Sequence, residues 1–170
     1  MAGVKSLDFE DRPCNCNRDT KIQGECIFNG ECRKSIIIYE AKCNQCGMVY
    51  IGNTQQTFKD RMNQHFADVT NLVNKNQSSD SFAAHMAGHI HQNFKGEATN
   101  GLARAMVKLR ILWQGDPISC MKTFGTNKCT LCMKERTSIL NQSRKDHKMM
   151  VNSRSEIYGA CRHRRSPTLN

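Results

Sequence analysis

Ten cysteines and six histidines give this 170-residue chain an unusual capacity for binding metals. Two residues separate Cys43 from Cys46 and three separate His85 from His89, spacings that suit a tight turn and one helical turn. Both spacings are typical of tetrahedral zinc, and His91 is an alternative to His89. The pattern predicts a structural zinc site, with plain thiols and a surface histidine cluster as the alternative.

Two further sets of potential ligands flank this one along the sequence. The amino-terminal set predicts a metal knuckle or a pair of disulfides, and the carboxy-terminal set a zinc site or a buried thiol cluster. The interspersed histidines favour zinc over disulfides as the interpretation of the cysteines. Cys120 belongs to neither set. The amino-terminal set is Cys14, Cys16, Cys26 and Cys32, and the carboxy-terminal set is Cys129, Cys132, Cys161 and His163.

A second group of residues has the chemistry needed to act on a phosphodiester. Tyr39 and Tyr50 fall in successive strand-like segments, so their hydroxyls could meet across a hairpin. Arg61 and His65 are four residues apart on the helix that follows. With Phe58 at the centre of that helix's apolar stripe, Arg61 borders the stripe and His65 lies within it. Taken singly, such a histidine is typical of a hydrogen-bonded core residue and such tyrosines of strand packing.

The elements that must position these residues can be read from the hydrophobic pattern. The β-branched segment "SIIIYEAKC" (35–43) and "MVYIG" (48–52) predict two strands joined at hairpin-loop length. A helix capped by Thr54 follows, with apolar residues at helical spacing from Phe58 to Val73. The later predicted elements are a helix over 82–91, a strand over 106–114 and a helix over 131–142. This order predicts an α/β (α+β) fold: a small three-stranded mixed or antiparallel sheet, flanked by helices and carrying zinc-binding inserts.

The net charge of +10 is concentrated in the last part of the chain. Residues 1–100 hold 11 basic and 11 acidic side chains, whereas residues 101–170 hold 14 basic and 4 acidic ones. This excess predicts a surface that faces a polyanion, with a solvated basic face as the alternative. Nucleic acid is the better polyanion, since nothing resembles a lipid-binding amphipathic helix. The predicted phosphate contacts are Arg154, Arg162, Arg164 and Arg165.

Composition indicates one domain with an appended module. Apolar residues make up 38% of the chain and the mean hydropathy is −0.62, so the core is expected to be small. The first residues lack the apolar run of a secretory signal, and no stretch reaches transmembrane length, so we expect no membrane partner. The predicted divisions are a cysteine-rich module over 1–34, the main domain over 35–165 and a tail over 166–170.

The order of the tyrosine and helix motifs resembles the GIY-YIG endonuclease family. "IIY" at 37–39, "YIG" at 50–52, and then Arg61 and His65 on the next helix follow that family's pattern. One position departs from it, because Ile37 stands where the first motif has a glycine.

The family also carries a glutamate on a later helix and often an asparagine beyond it, and Glu135 and Asn152 occupy those positions. More narrowly, "CNC…GEC…IIYEAKC…YIG", "CTLCMKE" and "NSRSE…CRHR" are similar to the endonuclease domain of Penelope-like retroelements. That resemblance covers the chain from about Cys14 to Arg165 and makes 35–165 the nuclease domain. Such relatives place a Cys-Cys-His-His zinc site with its cysteines between the two tyrosine motifs.

The resemblance implies a metal-dependent DNA endonuclease. Glu135 would hold one Mg²⁺ or Mn²⁺, and Arg61 would neutralise the phosphate oxygens. Tyr50, or alternatively Tyr39, would activate or position the water, and His65 would assist it. The substrate implied is double-stranded chromosomal DNA in the nucleus. The nicked 3′ end would prime a reverse transcriptase domain that belongs to a complete element.

Two other classes of function remain open from the sequence. A co-opted relative would be a zinc-stabilised nucleic-acid-binding module without catalysis. A secreted, disulfide-rich binding protein is the second alternative. Target preference, the choice between a nick and a double-strand cut, and oligomeric state have no signal in the sequence.

Overall fold

The computed structural model describes residues 14, 16, 21–22, 25–75, 81–93, 100–120, 123–124, 128–159 and 161. The strands are β1 (Lys21–Ile22), β2 (Glu25–Cys26), β3 (Ile37–Cys43), β4 (Val49–Thr54), β5 (Val107–Gln114), β6 (Thr123–Phe124) and β7 (Lys128–Cys129). The helices are α1 (Phe58–Lys75), α2 (Ser81–Asn93), α3 (Asn100–Ala105), α4 (Thr130–Lys145) and α5 (Arg154–Tyr158). Short 3₁₀ turns follow β5 and α4, at Pro117–Cys120 and His147–Met149.

A three-stranded antiparallel sheet forms the centre of the molecule, in the order β4-β3-β5. The β-branched run in β3 suits a strand with neighbours on both sides, and six of its seven residues are buried. Tyr39 pairs with Gly52 of β4, and Ala41 pairs with Tyr50. The predicted small sheet flanked by helices is therefore confirmed, and its pairing is antiparallel throughout.

Alternate side chains of β3 and β4 enter two separate buried clusters, one on each face of the sheet. The first cluster lies against α1 and α2 and includes Tyr39, Tyr50, Phe58, Phe66 and Phe82. The second lies against α4 and includes Ile38, Val49, Ile51, Leu131 and Ile139. Helices thus cover both faces of the sheet, so the side chains of β3 and β4 pack alternately against α1 and α2 on one face and against α4 on the other.

The start of α1 differs from the sequence prediction. Thr54 ends β4, and its hydroxyl accepts a hydrogen bond from the Gln56 N–H in the connecting turn. Thr57 caps the helix instead, because its hydroxyl accepts the Asp60 N–H at 3.2 Å and donates to the Asp60 carboxylate at 2.7 Å. The prediction of Thr54 as the N-cap was wrong because "NT" continued the strand by two residues.

A short helix precedes β5. Asn100–Ala105 forms α3, although Asn and Gly, its first two residues, have weak helix propensity. Ala103 and Met106 are buried in the cluster beneath α1, so packing outweighs weak helix propensity here. Among the residues that the structure describes, no helix combines the length and apolar character required to span a membrane.

Candidate active site and metal centres

Tyr39, Tyr50 and His65 form one buried aromatic cluster between the sheet and α1. The Tyr39 hydroxyl and His65 Nε2 are 2.7 Å apart and share a hydrogen bond. The Tyr50 ring lies 5.6 Å from the His65 ring and 6.3 Å from the Tyr39 ring. Tyr39 and His65 are fully buried and Tyr50 is 3% exposed. The spacing of the two tyrosine motifs and of the helix therefore brings these three predicted residues together.

Phe82, the second residue of α2, closes this cluster from the helical side. Its ring lies 5.5 Å from Tyr50 and 5.2 Å from His65. Edge and tilted contacts of this kind stabilise aromatic pairs beyond the area they bury. The sequence showed Phe82 only as the first apolar residue of a helix, so its contact with the tyrosines was not predicted.

Gly52, the glycine of "YIG", leaves the space that the two tyrosine rings occupy. A Cβ at this position would lie 2.5 Å from the Tyr39 hydroxyl oxygen and 2.9 Å from Cε1 of Tyr50. Real Cβ atoms do not approach other atoms so closely, so the rings must shift if a side chain is added. The glycine is therefore required by the tyrosines beside it in space.

We expect Gly52→Ala to lower the free energy of unfolding by about 1–3 kcal/mol, because the overpacked rings must move away from His65. Urea unfolding of the zinc-loaded protein measures this change. Gly88→Ala is the matched control, since a Cβ on that exposed α2 residue meets nothing within 4 Å. Alanine should stabilise the helix at Gly88. Equal destabilisation by the two variants would contradict the steric account.

Arg61 lies in the first turn of α1 and is partly exposed. Its Nη1 donates to Oε1 of Gln64 at 3.2 Å, and Gln64 in turn donates to Oε1 of Gln56 at 2.9 Å. The chain between β4 and α1 is only three residues long, so Arg61 follows closely on the carboxyl end of β4. Arg61 therefore lies in the first helical turn after the strand that carries Tyr50.

Glu135 lies on the other side of the same strand. It is a residue of α4, is 6% exposed, and accepts a hydrogen bond of 2.5 Å from Nδ2 of Asn53. Asn53 is the penultimate residue of β4 and its side chain points away from the tyrosine cluster. Sequence reasoning missed Asn53, although its position directly after "YIG" on the alternate face was the available signal.

Asn152 binds the backbone of β4. Its Oδ1 accepts the Ile51 N–H at 2.9 Å, and its Nδ2 donates to the Ile51 carbonyl at 2.7 Å. The Val151 N–H also donates to the Val49 carbonyl at 2.9 Å. This returning chain thus pairs with the outer edge of β4 in the way another strand would. Asn152 fixes the strand that carries Tyr50 on one face and Asn53 on the other.

Three groups of side chains could hold a metal such as zinc, and each corresponds to a predicted set. Within each group the possible ligand atoms all lie within 4.8 Å of one another. None of the nine cysteines whose side chains the structure describes is in a disulfide. The groups are Cys14, Cys16, Cys26 and Cys32; Cys43, Cys46, His85 and His89; and Cys129, Cys132 and Cys161.

The first group offers four thiols. The Cys16 N–H donates to Sγ of Cys14 at 3.4 Å, and this bond lowers the pKa of Cys14 to about 7. Sγ of Cys16 and Cys26 are 3.6 Å apart, and burial raises the pKa of Cys26. Four sulfur ligands at this separation match the donor set of structural zinc.

The second group joins the β3–β4 loop to α2. Sγ of Cys46 lies 3.4 Å from Nε2 of His85, and the rings of His85 and His89 are 4.9 Å apart. Burial, and then the nearby His89 charge, lower the pKa of His85, which favours the neutral form that binds metals. Burial raises the pKa of Cys43. The side chain of His91, the alternative ligand, lies outside the described residues.

The third group joins the first turn of α4 to the end of the described chain. Cys129 is the N-cap residue of α4 and makes no side-chain capping hydrogen bond. Sγ of Cys132 and Cys161 are 3.5 Å apart, and burial raises the pKa of Cys132. His163, the predicted fourth ligand, lies outside the described residues.

Four basic side chains lie on α4. Its exposed or partly exposed residues include Lys134, Arg136, Arg144 and Lys145, whereas Glu135, its single acidic residue, is buried. The side chain of Arg154, and the whole of Arg162, Arg164 and Arg165, lie outside the described residues. The predicted phosphate contacts therefore stay a prediction, and α4 adds basic residues beside Glu135 that the sequence did not single out.

Comparison with known proteins found no matching family model, no matching curated protein and no matching solved structure.

Proposed function

We propose that this chain is a zinc-stabilised, metal-dependent DNA endonuclease of the GIY-YIG type. Two observations support the proposal. Arg61 lies in the first turn of the helix that begins four residues after the end of β4, and Glu135 is hydrogen-bonded to Asn53, the penultimate residue of that strand. A phosphodiester at this end of the strand would meet a guanidinium from one layer and a carboxylate from the other.

Arg61, Glu135 and Asn53 would each have a different role in the hydrolysis. The planar guanidinium of Arg61 would pair with the non-bridging phosphate oxygens. Glu135 offers the carboxylate oxygen that Mg²⁺ or Mn²⁺ prefers, and a bound cation would supply charge stabilisation at the phosphate. Asn53 holds that carboxylate in place through its amide. A single buried carboxylate fits one metal ion better than two.

The tyrosine cluster would position the attacking water. Tyr50 is the proposed partner of the water, and His65 orients Tyr50 through their edge contact at 5.6 Å. Tyr39 is fully buried, so we assign it to holding His65 through their 2.7 Å hydrogen bond. Asn152 fixes β4, so that Tyr50 and Asn53 keep their relative places.

The substrate would be double-stranded DNA bound along basic surfaces. Lys134 and Arg136 flank Glu135 in the sequence of α4, and the net charge of the chain is +10. Binding through such contacts weakens steeply with salt. From the resemblance to retroelement endonucleases, we propose that the protein acts on chromosomal DNA in the nucleus and that the nick primes a partner reverse transcriptase.

A binding module without catalysis is the second candidate, and one observation favours it. Tyr39 and His65 are fully buried and Phe82 lies over His65, so the cluster presents little surface to a substrate. In that case the aromatic cluster is core, and the basic residues alone meet the nucleic acid.

Plasmid nicking and DNA binding by Arg61→Ala separate the two candidates. We expect the variant to nick supercoiled plasmid at least about 100-fold more slowly than wild type, since it lacks a preorganised charge stabiliser. Its DNA affinity, measured by fluorescence anisotropy, should fall far less. Lys34→Ala is the matched control, because that basic residue is an exposed partner of Glu31. Equal nicking by wild type and Arg61→Ala would contradict the assignment of Arg61.

A further inference from the structure

The four-cysteine group near the amino terminus adjoins the helix that carries Arg61 and His65. We propose that a zinc ion held by Cys14, Cys16, Cys26 and Cys32 is a positioning metal that fixes the start of α1. An effect of this zinc ion on DNA cleavage rests on the function proposed above. Its effect on the start of α1 is independent of that function, because the effect follows from backbone hydrogen bonds and core contacts.

Backbone carbonyls from the metal-binding segment accept the first two amides of α1. The Lys59 N–H donates to the carbonyl of Cys32 at 2.9 Å, and the Phe58 N–H donates to the carbonyl of Lys34 at 2.8 Å. The first four N–H groups of a helix have no acceptor within the helix itself. Cys32 is thus both a candidate ligand and, through its carbonyl, a cap of α1.

The loop between two of the ligands also packs on the first residue of the helix. Phe28 lies between Cys26 and Cys32 in sequence, is 1% exposed, and places its ring 5.1 Å from that of Phe58. The ring of Phe58 in turn lies 5.4 Å from Tyr39. A displacement of the loop would therefore reach both the helix and the tyrosine cluster.

Little regular structure holds this segment otherwise. Of residues 25–36, only Glu25 and Cys26 belong to a strand, β2. Its partner strand, β1, is also only two residues long. The loop turns through Asn29 and Gly30 at φ of +52° and +85° and is tied to β5 by a bond from the Asn29 amide to the Leu109 carbonyl. Segments with so few ladder hydrogen bonds open at low cost, so a metal in the four-thiol group would supply most of their local stability.

The test replaces two ligands that are not themselves bonded to α1. Cys14→Ser/Cys16→Ser should bind one zinc ion fewer per chain than wild type, counted by native mass spectrometry. Hydrogen exchange of the Phe58 and Lys59 amides should then accelerate about tenfold or more, because their carbonyl acceptors move away. Amides in the middle of α4, which packs on the other face of the sheet, should accelerate far less than these two. Glu31→Gln, a change on the same loop at an exposed ion pair, is the matched control and should alter neither quantity.

Two results would overturn the proposal. One is an unchanged zinc count, which would mean that the four thiols hold no zinc. The other is loss of one zinc ion with unchanged exchange at Phe58 and Lys59. If the double variant does not fold, Cys14→Ser alone retains three thiols. In that variant, release of the first and most weakly held zinc ion must accelerate both amides far more than amides in the middle of α4, and equal acceleration or none would again overturn the proposal.

DNA cleavage gives an independent readout. The double variant should show a lower rate of nicking with a smaller loss of DNA affinity, since α1 carries Arg61 whereas other basic residues, four of them on α4, lie on other elements. Failure of wild type to nick DNA would refute the proposed function and leave the exchange comparison to decide the role of this zinc.

Discussion

Glu135→Gln is expected to reduce the rate of DNA nicking by about 100-fold or more while the protein stays folded. The amide keeps the shape of the side chain and retains an oxygen that can accept the Asn53 hydrogen bond. It removes the negative charge that would attract a divalent cation. Removal of one preorganised group of this kind costs on the order of 10²–10³ in rate. Single-turnover nicking in Mg²⁺ measures the loss.

Asp68→Asn provides the matched control for this change. It makes the same carboxylate-to-amide substitution on α1, seven residues beyond Arg61 and away from β4. We expect it to nick at close to the wild-type rate. A wild-type rate in Glu135→Gln, with unchanged dependence on Mg²⁺ concentration, would show that Glu135 does not hold the cation.

Removal of zinc is expected to unfold the domain at room temperature. Each structural zinc in a small domain contributes on the order of 10 kcal/mol of binding free energy at neutral pH, and that energy is folding energy. Domains of this size have a free energy of unfolding of about 5–15 kcal/mol, so the loss of one zinc ion removes a large part of that stability. A zinc-selective chelator that leaves Mg²⁺ in solution should abolish the thermal unfolding transition seen by circular dichroism.

Cysteine-to-serine variants assign this loss to the metal centres. Cys43→Ser removes a buried ligand between β3 and α2 and should lower the melting temperature by more than 10 °C, since about 1 kcal/mol shifts a domain of this size by roughly 2–4 °C. Cys120→Ser, which lies outside the predicted sets, should leave both the melting temperature and the zinc count near wild type. Equal stability with and without chelator would contradict a structural role for zinc.

The fold was predictable where the sequence pattern is local. The "SIIIYEAKC" strand, the apolar spacing of α1 from Phe58 onward and the strand over 106–114 each contain their own signal, and the structure contains all three. Ligand spacing was equally informative, because turns and helices fix which cysteines and histidines can converge. All three groups of ligands were predicted from spacing and order in the sequence, apart from His163, which lies outside the described residues.

The support around the candidate site was not predictable, because it joins residues far apart in the sequence. Asn53 meets Glu135 across 82 residues, and Asn152 meets Ile51 across 101. Phe82 reaches the tyrosines only because α2 packs against α1. No local sequence pattern encodes such contacts. A polar residue at the end of a strand, such as Asn53, is equally consistent with the start of a loop.

The structure also changes how the predicted catalytic residues relate to one another. Strand alternation places Tyr50 and Asn53 on opposite faces of β4, so the tyrosine cluster and Glu135 belong to different layers. Glu135 contacts β4 through Asn53, near the carboxyl end of the strand. Arg61 follows that end after a connection of three residues and lies in the first turn of α1.

Incubation of zinc-loaded wild type with supercoiled plasmid tests directly whether the protein is a metal-dependent DNA endonuclease. We predict nicked circles that form in Mg²⁺, do not form without a divalent cation, and carry a 3′ hydroxyl that a DNA polymerase extends without prior treatment. A plasmid that is bound but stays supercoiled across divalent cations and pH would contradict the endonuclease account and leave the nucleic-acid-binding module.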